Sequence, residues 1–415
     1  MANTFLTNSI ITKEALAILE NSLTAAERIN RTYDDRFRFG GAVLGQTLSV
    51  RKPARFIGRQ GQAVNIEGIN EQYATITLAY QRGIDTTVSS QDLVTSIDEY
   101  SETVLKPQVA RVANLVDQDV CALALQLNNH VGTPGTTPTA LDTYWSARTK
   151  LNNFAAPMDD RTFLLNPLAE QKIGNALYTA FNPQKNISDI YRTGAMGAAL
   201  GADWFMDQNV YTHTVGTLTG TPLVNGGSQS GSSIITDGWT SGDSLNQGDI
   251  VSFGAASGAA ASTGSFAVNP QSYQSTGQLA QFVVTATTTT TGSMTIPISP
   301  AMVGPGNQTT NVTNLPADNA VVLVFDTLAA SFSGITGKST PQNLHFNKDF
   351  GTLVMVDLPE PGGTDIAKVM SSKQGRVSCR VIRQYQATTD QWIQRIDVLY
   401  GVAVLRQELA CRISG

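Results

Sequence analysis

Charged side chains are scarce through the middle of this chain. Gly, Ser, Thr, Ala and Val take their place there, while charge density and helical periodicity return on both sides. This pattern predicts a β-rich block inserted into a mixed α and β chain, so that the host domain is split into two pieces of sequence. Between Thr212 and Thr340 the charged residues are Asp237, Asp243, Asp249, Asp318, Asp326 and Lys338.

Cysteine and histidine are also rare. The three cysteines, Cys121, Cys379 and Cys411, are odd in number, lie far apart and include no CxxC pair. This excludes a disulfide framework and a cysteine-based zinc site. The histidines are His130, His213 and His345, and no HExxH, P-loop, GxGxxG or nucleophile-elbow motif accompanies them. We therefore expect no catalytic residues, no bound metal and no cofactor.

Two of the histidines flank the charge-poor block. A site shared by His213 and His345 is one hypothesis, and the favoured alternative is two unrelated linker or surface histidines. His130 is expected to cap the end of a helix. Asp117 and Asp119 are interpreted as solvated charges on different faces of that helix.

Long apolar runs are missing as well. No stretch of about 18 apolar residues occurs, and the first residues lack a basic segment ahead of an apolar core. We expect neither secretion by a standard signal nor a membrane partner. The net charge of −5 argues against a dedicated nucleic-acid binder, which is normally basic. A length of 415 residues allows two or three domains.

Patterns in the N-terminal part predict two pieces that need a surface to lie on. Residues 12–32 have apolar residues at helical spacing, which indicates an amphipathic arm. Residues 40–88 alternate between apolar and polar residues around a basic, glycine-punctuated stretch, which predicts a projecting β-ribbon. An isolated two-stranded ribbon is marginally stable in water, so this one hints at assembly with other subunits. The basic residues at its tip are Arg51, Lys52, Arg55 and Arg59.

The rest of the host reads as helices and strands. Apolar residues three and four apart after Pro107 predict one long helix of about six turns. Helices are expected at residues 144–154 and 168–178, with a short buried strand at Phe163-Leu-Leu165 between them. Residues 376–384 and 391–405 are predicted to form a hairpin. Short strands are expected within the block at residues 250–253, 281–284, 294–296 and 321–325.

Three stretches, together with this order of parts, carry a resemblance over the length of the chain. They are Phe163-Leu-Leu-Asn-Pro167, Leu245-Asn-Gln-Gly-Asp-Ile-Val-Ser-Phe253, and Arg395-Ile-Asp-Val-Leu-Tyr-Gly401 with Arg406-Gln-Glu408. The chain resembles the major capsid (coat) proteins of tailed bacteriophages, which share the Hong Kong 97 shell fold. It is most similar to the podovirus coat proteins whose host domain is interrupted by an inserted β-barrel. The last triplet departs from the family pattern, because Gln407 stands where proline is common.

The resemblance implies an α+β fold of the Hong Kong 97 type with an inserted all-β domain. Its parts are expected in a fixed order along the chain. They are an N-terminal helical arm (1–39), an extended β-loop (40–88), a peripheral domain with the spine helix (89–140), the first part of the axial domain (141–211), the inserted β domain (212–340), and the return of the axial and peripheral domains (341–415).

The resemblance also implies function and partners. The protein would self-assemble into hexamers and pentamers of an icosahedral head around double-stranded DNA held non-specifically, without catalysis. Scaffolding protein, portal protein and decoration proteins are the expected partners. Assembly is expected in the host cytoplasm, and the virion is the final location. The candidates for scaffold contact on the arm are Glu14, Leu16, Leu19 and Glu20.

Two other functions and three interpretations of the basic tip stay open on sequence alone. An encapsulin-type bacterial compartment has the same fold, but such shells usually lack a charge-poor insertion. A β-rich adhesin or carbohydrate-binding protein conflicts with the helical host and the missing secretion signal.

The tip residues Arg51, Lys52, Arg55 and Arg59 are either a solvated loop, a subunit interface paired with a neighbour's acids, or, least favoured, a phosphate-binding patch.

Overall fold

The computed structural model describes residues 15–19, 23–33, 45–59, 61–64, 66–89, 104–180, 197–362, 366–371 and 377–414. Strands dominate and helices are few, so the predicted α+β class is confirmed. The longer helices are α1 (Lys106–Cys121), α2 (Leu141–Asn153) and α3 (Pro167–Ala180). Short 3₁₀ segments lie at Ala122–Gln126, Ala261–Thr263, Ala329–Gly334, Lys348–Phe350 and Gln407–Leu409.

Twenty-five strands are present among the described residues. Ahead of the charge-poor block they are β1 (Thr47–Arg51), β2 (Tyr73–Thr77), β3 (Tyr80–Ser89), β4 (His130–Val131), β5 (Arg161–Leu165), β6 (Ala198–Ala199) and β7 (Ala202–Met206). Within it they are β8 (Thr212–Thr214), β9 (Leu223–Val224), β10 (Gly231–Asp237), β11 (Ser244–Leu245), β12 (Ile250–Ala256), β13 (Phe266–Val268), β14 (Ser275–Leu279), β15 (Gln281–Val284), β16 (Thr288–Thr289), β17 (Met294–Met302), β18 (Ala320–Val324) and β19 (Ser339–Pro341). After it they are β20 (Asn343–Asn347), β21 (Gly351–Val356), β22 (Ile366–Ser371), β23 (Ser378–Gln386), β24 (Gln391–Val404) and β25 (Ala410–Ile413).

The chain divides into two compact units, each made of three pieces of sequence. The first unit comprises Met1–Val50, Ala74–Cys121 and Gly351–Leu405. The second unit comprises Arg51–Tyr73, Ala122–Phe350 and Arg406–Gly415.

The first unit is built on the long strand β24. It pairs antiparallel with β3, β21 and β23, and β22 pairs with β23. The predicted hairpin is therefore present as β23 and β24. Helix α1 packs on β3 and β24 through its apolar face. The buried valines of that face are Val109, Val112, Val116 and Val120.

Two expectations for the first unit were wrong in detail. Strand β3 belongs to the ribbon in the sequence interpretation, but it pairs with β24 over ten residues. The predicted helix at residues 12–32 covers 15–19 only among the described residues, and residues 23–33 form turns and a bridge. Asp117 explains this, because its carboxylate accepts the amides of Thr24 and Ala26 at 2.8 Å each, in place of helical carbonyls.

The aspartates on α1 are also not solvated as interpreted. Asp117 is 1% exposed and holds the arm as just described. Asp119 accepts both Nε and Nη2 of Arg82 at 3.1 Å and the hydroxyl of Tyr400. Burial, with the hydrogen bond to Asp119 as the next cause, raises the pKa of Tyr400 far above its usual range. Both carboxylates therefore stabilise the first unit.

The second unit contains a six-stranded sheet and a closed barrel. The sheet has the order β4-β25-β20-β5-β7-β6, with β5–β7 and β4–β25 parallel. The barrel has the order β10-β17-β15-β12-β18-β9 and lies wholly within the charge-poor block, so the predicted inserted β fold is confirmed. Its interior is apolar and includes Phe253, Phe282 and Ile296, all essentially inaccessible to solvent.

The insert leaves and rejoins its host at one place. Strand β8 pairs antiparallel with β19, and His213 lies opposite Thr340. The amide of Gly337 donates to the carbonyl of Gly216 at 3.2 Å, so the two connections are bonded to each other. Thr212 and Thr340, which bound the charge-poor block, both lie in this pair of strands.

Candidate assembly site

The ribbon end, residues 51–73, is a long excursion between β1 and β2. The amide of Lys52 donates to the carbonyl of Gln72 at 2.7 Å and continues the pairing beyond the strands. Further out, the carboxylate of Glu67 accepts the amides of Ile57 at 2.9 Å and Gly58 at 2.7 Å. Gly58 has a φ of 78°, a conformation that favours glycine. The Ile57 bond is the main reason that the pKa of Glu67 lies below its usual range.

The four basic residues predicted as interface candidates lie in this segment. Arg51 pairs with Glu71 at 3.5 Å, and Arg55 pairs with Glu408 at 3.3 Å. Arg59 donates to the carbonyls of Gly61 and Ala63. Lys52 is half-buried. Three of the four cations therefore bond within their own chain, and their contact with another subunit stays a prediction.

Apolar side chains at the ribbon end are left uncovered. Val64 is 81% exposed, Ile66 90% and Ile69 71%. Phe56, Ile57 and Tyr73 are about half exposed. The sequence-based prediction named the charged residues of this segment as contacts and did not include these apolar residues. The sequence does contain a sign of an apolar contact, because three aliphatic residues fall within six consecutive positions of the basic, glycine-punctuated stretch.

A cleft of about 710 Å³ lies between the ribbon end, the barrel and the Arg406–Glu408 turn. Lys52, Arg55 and Arg406 line it together with Glu408. Arg406 and Arg55 both contact the same carboxylate oxygen of Glu408, at 3.2 and 3.3 Å. The turn thus fixes one side of the ribbon end.

A buried polar junction joins the barrel to the host part of the second unit. Lys150 donates to the carbonyl of His130 at 2.9 Å and to Oε1 of Gln281. That Oε1 also accepts the amide of His130 at 2.8 Å. Nε2 of Gln281 donates to Asp326 at 2.5 Å and to the His130 carbonyl at 3.1 Å. Burial lowers the pKa of the Lys150 ammonium, so the junction keeps a costly group only by enclosing it in hydrogen bonds.

The histidines have separate structural partners. His130 lies in strand β4 rather than at a helix end, and its ring contacts Ser414. His213 bonds to Asp249 at 2.8 Å. His345 stacks on Phe163 with ring centroids 3.8 Å apart, and burial lowers its pKa to about 3. All three are buried, so the interpretation of His213 and His345 as surface residues was wrong.

The scaffold-contact candidates on the arm are only partly described. Glu14 and Glu20 lie outside the described residues. Leu19 is 1% exposed and therefore packs inside its own subunit, whereas Leu16 is half-buried. Of the two described candidates, Leu16 is the one whose side chain has surface to offer a partner.

Among the described residues, no three His, Cys, Asp or Glu side chains cluster closely enough to hold a metal ion. No helix in the same ranges is long and apolar enough to cross a bilayer.

Comparison with known proteins gives one family match. The family model described as "P22 coat protein - gene protein 5" matches residues 5–414. No curated protein matches the sequence.

Solved structures that are similar to this chain include three from phages. A chain from Mycobacterium phage Che8 is 10% identical, with 94% of this chain and 90% of that chain covered and a TM-score of 0.45. The capsid of Ralstonia phage GP4 gives 6% identity, 94% and 88% coverage and a TM-score of 0.45. The mature capsid of bacteriophage PhiM1 gives 10% identity, 90% and 82% coverage and a TM-score of 0.37.

Proposed function

Since this chain belongs to the P22 coat protein family, we propose that its ribbon end docks on a neighbouring copy when the coat assembles. The chain is a major capsid protein, a structural subunit that self-assembles into the shell of a phage head. Family membership favours this function over a compartment shell or an adhesin. The proposal concerns which surface of the subunit makes the contact.

The main support for this docking surface is the exposure of apolar side chains at the ribbon end. Val64, Ile66 and Ile69 are 71–90% exposed on a segment that projects beyond the paired strands. Several exposed apolar side chains within one short segment favour an interaction site, and burial of apolar surface contributes about 25 cal/mol per Å². A coat protein meets copies of itself throughout its shell, so a second copy is the partner that this surface fits.

We propose a finer assembly route, which family membership supports. Subunits form hexamers and pentamers in the host cytoplasm with scaffolding protein, and a portal protein is a further partner. Double-stranded DNA is then packaged without sequence-specific contacts, which suits a chain of net charge −5. Decoration proteins are additional partners, and no catalytic step is required. On the arm, the half-buried Leu16 is the described residue that we propose for scaffold contact.

The docking surface is tested by placing charge on it. The double variant V64D/I66D should fold normally, because both side chains are exposed, and should fail to assemble, because two carboxylates would be buried in the contact. Particle formation after expression in a bacterial host is measured by sedimentation and electron microscopy, and subunit folding by thermal unfolding.

A matched control separates this effect from general surface charge. Leu328 is 55% exposed and lies directly before the 3₁₀ segment Ala329–Gly334, outside the ribbon end. The variant L328D should assemble like the parent. Normal particle yield from V64D/I66D would show that the ribbon end is not a subunit contact.

A further inference from the structure

The ribbon end is held at two points by its own subunit. At the outer point, Nε2 of Gln308 donates to the carbonyl of Gly68 at 2.7 Å and to Glu67 at 3.2 Å. At the inner point, Arg55 pairs with Glu408 at 3.3 Å. These contacts span the cleft described above, so the excursion is supported near both of its ends.

Gln308 lies in the loop between β17 and β18, which several hydrogen bonds hold in place. Asn311 donates to the carbonyl of Ala301 at 2.7 Å and accepts the amide of Val303 at 2.8 Å. The hydroxyl of Tyr273 donates to the main-chain carbonyl of Gln308 itself at 2.9 Å. The side chain that reaches the ribbon therefore starts from a fixed backbone.

The inner point is also fixed to the barrel, through a residue that departs from the family pattern. Nε2 of Gln407 donates to the hydroxyl of Ser299 in β17 at 2.9 Å. A proline at this position has no side-chain donor. The Arg406–Glu408 turn is thereby bonded to the barrel on one side and to the ribbon end on the other.

We propose that Gln308, Gln407 and Glu408 form an intramolecular brace that holds the ribbon end in its docking orientation before a neighbour arrives. The inference rests on the proposed docking function of the ribbon end. These are positioning residues, because they act on the contact surface through the backbone and charges of the ribbon.

The chemistry of the brace favours preorganisation over inhibition. The brace bonds to a carbonyl, a carboxylate and a guanidinium, and it leaves Val64, Ile66 and Ile69 uncovered. A neighbour could thus cover the apolar side chains without breaking the brace. Holding a loop in its bound conformation lowers the entropy lost on association, so the brace should strengthen assembly.

The test replaces the donor of Gln308 with an acceptor of the same shape. In Q308E, a carboxylate faces the oxygen atoms of Glu67 and Gly68, and the outer point should open. Hydrogen exchange of the Ile57 and Gly58 amides in the unassembled subunit should accelerate about threefold to tenfold, as expected for the loss of one or two exposed hydrogen bonds. The fraction of protein in particles should fall by a comparable factor, and Q407A should act in the same direction.

Q271E introduces the same charge at an exposed glutamine lining the same cleft and should change neither readout. Unchanged exchange in Q308E would overturn the brace, and faster exchange with normal or increased particle formation would overturn its role in assembly. Failure of the docking proposal has a different signature, namely normal particles from V64D/I66D while Q308E still raises exchange.

Discussion

The ribbon end and the buried junction use the same kinds of side chain in opposite ways. Both connect the barrel to another part of the second unit through a glutamine that bonds to backbone and to a carboxylate. Gln308 does so at the surface, half-buried, beside apolar side chains that remain exposed. Gln281 does so at 4% exposure, beside Lys150, which is 8% exposed.

Burial determines what each contact can do. Around Gln281 every broken bond leaves a buried donor or charge unsatisfied, so the junction stabilises the fold strongly and tolerates little change. Around Gln308 water replaces each broken bond, so the contact is weak and affects the position of the ribbon more than the stability of the subunit. The barrel thus serves its host in two ways, as a structural support and as a guide for the ribbon end.

The largest effect should come from removing the insert. Deleting residues 217–336 joins Gly216 to Gly337, which are already hydrogen bonded. The deletion removes Gln281 and Asp326, so Lys150 keeps only its bond to the His130 carbonyl, and it uncovers the host surface that the barrel buries. We expect circular dichroism to retain helical signal while thermal unfolding shifts far downward and particles disappear.

Normal assembly and unchanged melting of the deletion variant would show that the insert neither stabilises its host nor positions the ribbon.

The next largest effect should come from one residue of the junction. Q281L keeps the size of the side chain but leaves Lys150 and the His130 amide without their shared acceptor. We expect a loss of about 3 kcal/mol in the free energy of unfolding, measured by urea denaturation. Q271L, at the exposed position in the cleft, should change it by less than about 0.5 kcal/mol. Equal effects of the two variants would contradict the distinction between buried and exposed contacts.

Most of the fold's local elements could be predicted from the sequence. Helices α2 and α3, strand β5 and the β23–β24 hairpin all have strong local periodicity, and the loss of charge marks the inserted barrel. Strand β3 was misplaced because its alternating pattern is equally suited to a ribbon and to a sheet. The difference depends on β24, some three hundred residues later in the chain.

The candidate site was less predictable for the same reason. Asp117 looks like a surface charge on the helical pattern, and its burial depends on the arm that folds over it. Arg55 looks available for a neighbour, and its partner Glu408 lies 353 positions away. Charge and periodicity are local properties of a sequence, whereas satisfaction of a charge depends on contacts between distant segments.

A moderate effect should come from acid acting on the buried residues. His345 has its pKa lowered to about 3 by burial, against about 6.5 in the unfolded chain. Between these values the unfolded state binds the proton and the folded state does not, so stability falls as the pH falls, by up to about 1.4 kcal/mol per pH unit. H345F keeps the stack on Phe163 and cannot titrate. Urea midpoints at pH 7 and pH 5 should therefore differ less in H345F than in the parent, and an unchanged difference would contradict this role of His345.

Charge reversal at Arg55 and Arg59 should have the smallest effect on stability. It should also give the clearest contrast between the stability of the subunit and its assembly. In R55E/R59E the pair with Glu408 becomes a repulsion, and the Arg59 bonds to the Gly61 and Ala63 carbonyls are lost. Exposed ion pairs contribute about 0.2–1 kcal/mol, so unfolding of the isolated subunit should change little. Assembly should weaken more, because the inner point of the brace opens and any pairing with a neighbour's acids is reversed.

R59E alone separates these causes, since it leaves the Glu408 pair intact. Loss of particles in R59E would assign the effect to Arg59 rather than to the brace. Normal assembly in R59E with loss in R55E would assign it to the brace. Equal changes in unfolding and assembly for the double variant would contradict both.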